Sequence, residues 1–95
     1  MSMPPDARAL VNKFVPNNTR LAKVVLNTLN DVFKARFLPQ ELVKVVVRRA
    51  MELEREQDMD VESSVFTEKL KSYVTQVKPR FMKMVIQGNR STRSW

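Results

Sequence analysis

Lys44 and Arg48 stand four residues apart, and their types and spacing could do chemistry together. On a helix such a pair shares one face. An arginine guanidinium grips a phosphate through two hydrogen bonds and a lysine adds a point charge, so the pair suits a phosphorylated ligand. Lys23, Asn27 and Lys34 recur at helical spacing further upstream and would occupy the matching face of a preceding helix. The two polar edges could then line one shallow groove. An ordinary solubilising surface carries the same residues, so the charges alone leave both readings open. Catalysis is a different matter. The 95 residues contain no histidine and no cysteine, which excludes the usual zinc ligand sets and any mechanism built on a Cys or His nucleophile or base. The carboxylates cluster without metal-ligand spacing, and Ser63 and Ser64 read as helix caps rather than nucleophiles. The expectation is therefore a chain with no catalytic residues, no metal site and no cofactor.

The elements that must position these residues are helical throughout. Pro5 and Asp6 can start a short helix that reaches about residue 14, and Pro16 ends it because the residue before proline avoids the helical region. Asn17, Asn18 and Thr19 offer caps for a second helix over 19–36. Its stripe is Leu21, Val25, Leu29, Val32 and Phe33, with Lys23, Asn27, Asn30 and Lys34 on the opposite arc. Pro39 opens a third helix over 39–56. There Leu42, Val46, Ala50 and Leu53 face the core, and Val43 and Val47 widen the stripe. A final helix begins between 61 and 64, capped by Asp60, Ser63 or Ser64, and carries Phe66, Leu70, Tyr73, Val74, Val77 and Phe81. Pro79 should kink it, or end it and start a short piece over 82–86. The fold class is all-α, a compact three- to four-helix bundle. It divides into an N-terminal arm with a short helix (1–18), the bundle (19–87) and a frayed basic tail (88–95).

Charge placement narrows the partner. The net charge is +7, yet seven of the ten acidic residues lie between Glu52 and Glu68, with only Arg55 as a cation among them. A compact fold would show one acidic edge on an otherwise basic surface, a field that favours a polyanion such as nucleic acid, phosphopeptide or anionic lipid. The tail cations Lys78, Arg80, Lys83, Arg90 and Arg93, with Trp95, could hold nucleic acid loosely, although a solvated tail is the plainer reading. No apolar run approaches the ~20 residues of a membrane span. The start Met1-Ser2-Met3-Pro4-Pro5-Asp6 lacks the layout of a secretory signal, so a cytosolic or nuclear place is expected.

Order and spacing together carry a resemblance. The run LAKVVLNTLNDVFKARFLPQELVKVVVRRAMEL, an acidic gap and then DVESSVFTEKLKSYVTQVKPRF resemble the SRI domain over about residues 22–81. That module is known from histone methyltransferases that travel with RNA polymerase II, and from a helicase and PHD-finger- or splicing-associated factors. The last branch is the most similar. Its pattern is an aromatic–lysine pair (Phe33-Lys34), a short basic turn, the spacing Glu41–Lys44–Arg48, a gap, and a helix bearing Tyr73-Val74. The resemblance implies an SRI-like bundle in a nuclear protein, with this segment a piece of something longer. It implies a monomeric phosphopeptide-binding adaptor for the phosphorylated C-terminal repeat tail of RNA polymerase II, coupling transcription elongation to RNA processing. By position it implies Lys44 and Arg48 as phosphate ligands with Val43 beside them, and Lys23, Asn27 and Lys34 from the preceding helix. Val43 replaces a usual aromatic, and Glu52 lies near a position that is histidine in some members. Two other functions fit the residues: a basic helical protein on duplex RNA, or a structural subunit docking its wide third stripe on a partner.

Overall fold

The protein's structure is a computed structural model that describes residues 6–35 and 37–93, with side chains described as far as Phe81. Four helices follow one another: α1 (Ala7–Phe14), α2 (Thr19–Phe33), α3 (Gln40–Arg55) and α4 (Ser64–Arg93). No strand occurs among the described residues, and the β-branched run at 43–47 is helical. The packed apolar faces decide this against the local strand preference of valine.

Each helix start has a local cause. The Ala9 N–H donates to Asp6 Oδ1 at 2.9 Å, capping α1. Asn18 Oδ1 does the same for Leu21 N–H at 3.1 Å, and Ser63 Oγ for Phe66 N–H at 3.1 Å. Before Ser63, Asp60 Oδ1 accepts from Glu62 N–H at 3.0 Å and shapes the turn into α4. Helix α3 has no side-chain cap. Instead the Pro39 carbonyl accepts from Leu42 and Val43.

The ends are set by backbone geometry. Val15, ahead of Pro16, leaves the helical region with φ −131° and ψ 67°. Helix α2 stops at Phe33, three residues earlier than its sequence pattern suggests, because Lys34 turns left-handed with φ 52° and ψ 38°. Glycine usually takes that position. Lys78 reaches across from α4 and donates to the Val32 carbonyl at 3.0 Å, a cation on the negative end of α2. Asp58 supplies the second positive φ, at 50°, in the connection after α3.

Pro79 does not end α4. The helical backbone continues through it, and through Gly88, to Arg93. Proline removes one backbone donor, but Val77 and Phe81 on either side of it are both buried, which anchors the helix on both sides of the missing bond.

The layers follow from which faces are apolar. Helices α2 and α3 form a central pair, α4 packs on both, α1 packs on both, and among the described residues α1 and α4 do not pack on each other. Helix α1 and α4 thus cover opposite sides of the central pair. From α1, Ala7, Leu10, Val11 and the following Val15 are buried in the same core as Leu29, Val46, Phe66 and Leu70. Helix α1 is thus packed into the common core, on the near side of the boundary expected at residue 18. Thr28 is the one buried polar side chain among the described residues, and its hydroxyl donates to the Val24 carbonyl at 2.8 Å.

Candidate functional site

Helix α1 lies where a single groove between α2 and α3 was expected, and it splits the basic surface in two. On one flank, α1 and α3 enclose a groove of about 540 Å³ lined by Phe14, Lys44, Val47, Arg48, Met51, Glu52, Arg55 and Glu56. Half-buried Phe14 and Met51 with buried Val47 form its floor. On the other flank, α1 and α2 enclose about 420 Å³ lined by Arg8, Asn12, Thr19, Lys23 and Asn27 over Val15, Pro16, Ala22 and Leu26.

The expected site residues are accordingly separated. Lys44 and Arg48 do share a groove, one turn apart on α3. Lys23 and Asn27 share the other. Lys34 belongs to neither, and lines a third hollow at the end of α2 with Asp6, Arg8, Asn30 and Ala35. Val43 has no place at any surface: it is 0% exposed, because it falls on the face of α3 that joins Leu42 and Val46 in the core. Among the described residues, no hollow is lined by all six: α1 packs on both α2 and α3, and the cations line hollows on its different flanks.

The α1/α3 groove is ready for an anion on one side. Lys44 Nζ stands 6.0 Å from the centroid of the Phe14 ring, and its partner Glu41 is at 3.7 Å in an exposed i,i+3 pair. Such a pair contributes little and opens readily. Arg48 has no ion pair among the described residues. Arg49, on the neighbouring face, is engaged elsewhere, with Nη1 3.4 Å from Glu52 and its guanidinium 5.8 Å from the Tyr73 ring centroid. Beyond Phe14 and Met51 the groove adjoins a smaller hollow of about 280 Å³ at the α1–α2 turn, where Asn18 Nδ2 approaches Glu54 at 3.4 Å.

The chain matches no protein-family model, no curated protein and no solved structure.

Several lining residues escaped the sequence pattern. Phe14, Met51, Arg55, Arg8 and Asn12 come to the grooves only because α1 docks on the central pair. A signal was present, since Ala7, Leu10, Val11 and Phe14 repeat at helical spacing and mark α1 as a packed helix rather than an arm. The wide stripe of α3, offered above as a docking face for a partner helix, is used internally: Leu42, Val43, Val46, Val47, Ala50 and Leu53 are all buried. Among the tail residues, Trp95 lies outside the described residues, as do the side chains of Lys83, Arg90 and Arg93. No helix is long and apolar enough to cross a membrane among the described residues.

Proposed function

We propose that the chain is a non-enzymatic adaptor that binds phosphorylated peptide in the α1/α3 groove. The observation that carries this reading is the placement of Lys44 and Arg48 on one wall of a groove whose floor is Phe14, Val47 and Met51. A phosphorylated side chain takes two charge-assisted hydrogen bonds from Arg48 and the point charge of Lys44, and neighbouring apolar side chains of the ligand lie on the floor. The resemblance to the SRI domain directs the reading to one ligand, the phosphorylated repeat tail of RNA polymerase II, met in the nucleus by a monomeric module. Lys23 and Asn27, on the far flank of α1, make no contact with a phosphate held by Lys44 and Arg48 in this reading.

Titration of the chain with phosphorylated and unphosphorylated repeat peptides tests it. The phosphorylated form binds more tightly and loses affinity as salt rises. Equal affinity for the two forms would overturn the proposal.

A second reading, binding to duplex RNA, has its own observation. The α1/α2 groove carries Arg8 and Lys23 with Asn12, Thr19 and Asn27 and has no carboxylate in its lining. A gel-shift with duplex RNA separates the two readings. Retention that survives physiological salt and is lost with Arg8→Ala and Lys23→Ala favours RNA.

A further inference from the structure

We infer that the α1/α2 groove and the hollow around Lys34 form one cationic strip that holds the phosphate backbone of a nucleic-acid duplex, and that the strip stays open while the α1/α3 groove is filled. The inference rests on the second reading above, a nucleic acid on the α1/α2 groove. It lengthens that site and frees it from competition with the peptide.

Arg8 and Leu26 line both hollows, so the two adjoin along the seam between α1 and α2. Lys23, Asn27, Asn30 and Lys34 follow one another on α2 at intervals of four, three and four, which keeps them on one face. Arg8 and Asn12 stand one turn apart on α1 and line the facing wall. All six are exposed. Arg8, Lys23 and Lys34 have no ion pair among the described residues. Asp6 is the one carboxylate among the described residues of either lining, and its Oδ1 accepts the Ala9 N–H at 2.9 Å. Asp31 lines neither hollow. The acidic segment meets α2 near its start, where Glu62 pairs with Arg20 at 3.6 Å, so the strip runs away from it towards Lys34.

The spacing of the cations chooses the ligand. Lys23 and Lys34 are ~16 Å apart along the axis at the helical rise, and Arg8, common to both hollows, serves the stretch between them. A ligand with one charge meets one of these cations, and a ligand charged at every step meets all three. A duplex strand offers a phosphate about every 3.4 Å of its axis, so each cation finds one in any register. The asparagine amides donate to phosphate oxygens and can accept from ribose hydroxyls. Neither hollow has an aromatic side chain among the described residues of its lining, so unstacked bases find no platform, and a duplex is favoured over a single strand. No residue lines both this strip and the α1/α3 groove, so a phosphate held by Lys44 and Arg48 leaves the strip free.

Fluorescence anisotropy of the intact chain with short labelled duplexes, measured across ionic strength, tests this. Log affinity falls against log salt with a slope of about −0.9 per neutralised phosphate, roughly −3 for the three cations together. Arg8→Ala, Lys23→Ala and Lys34→Ala each bring the slope about one closer to zero, and Asn27→Asp weakens retention. Arg48→Ala leaves the slope alone, and saturating phosphopeptide does not displace the duplex. RNA and DNA duplexes of one sequence are compared, and the tighter one names the source of the backbone. All the substituted positions are exposed, so the variants keep the fold, which thermal melting checks. If Arg8→Ala and Lys23→Ala weaken retention but Lys34→Ala does not, the reading of nucleic acid on the α1/α2 groove stands and the longer strip falls. Tighter retention of a single strand, or displacement of the duplex by phosphopeptide, also overturns the inference. If none of the three cations matters, inference and reading fall together.

Discussion

The two grooves beside α1 share a wall but differ in what fills the opposite one. The α1/α3 groove mixes signs, with three cations and two carboxylates around an apolar floor containing Phe14 and Met51. The α1/α2 groove holds two cations and three neutral hydrogen-bonding side chains and has no aromatic. A mixed-charge, aromatic-floored groove suits a defined peptide, whose affinity depends on where its charges fall. A carboxylate-free groove attracts any anion and distinguishes them poorly. Total charge, which is +7, says nothing of this difference. It arises because a short helix that contributes few charges of its own divides the surface.

The comparison can be broken most directly by removing the divider. Leu10 is 3% exposed and anchors α1 in the core. Leu10→Ala should cost about 3 kcal/mol in a denaturant melt, within the range for buried leucine truncation, and should weaken ligands of both grooves at once. Peptide affinity that survives this change would mean that the ligand does not use α1.

Next in size, Arg48→Ala should weaken phosphopeptide binding by about 1–2 kcal/mol, as expected for loss of hydrogen bonds to a charged group at a partly exposed site. Lys23→Ala should change the same affinity by less than about 0.5 kcal/mol, the usual effect of an exposed substitution away from a site. Equal effects in a titration would return the two flanks to one site.

Lys78→Ala should lower stability by about 1 kcal/mol through loss of its hydrogen bond to the Val32 carbonyl, and leave both grooves intact. A change in peptide affinity larger than the change in folding would show that the end of α2 communicates with a groove. Smallest is Lys34→Gly. Glycine relieves the left-handed strain at φ 52°, so stability should rise by about 0.5 kcal/mol, the difference between that relief and the extra freedom of the unfolded chain. Peptide affinity should not move, since Lys34 lines neither groove.

Most helical segments were legible along the chain because each has a nearby cause: Asp6, Asn18 and Ser63 as caps, Pro16 and Pro39 as boundaries, and Leu21, Val25 and Leu29 or Phe66, Leu70 and Val74 as repeats. Pairs on one helix were legible too, so Lys44 and Arg48 do share a face. The errors lie where a local rule met a packing decision. Of the two outcomes expected at Pro79, a kink or an end, the end does not occur, because buried Val77 and Phe81 hold the turns on both sides of it. Val43 belongs to the widened core stripe and is fully buried, so the groove position that the resemblance implied for it is the part that packing overrules. Lys34 took the left-handed position in a chain whose one glycine lies far away at Gly88.

The residues by themselves determined an all-α chain, its caps, and which cations stand one turn apart, because those properties depend on neighbours within a few positions. Only the tertiary structure decided which cations share a groove. That depends on the docking of α1 by Ala7, Leu10, Val11 and Val15, whose burial is gained against α2 and α3 rather than against neighbours in sequence.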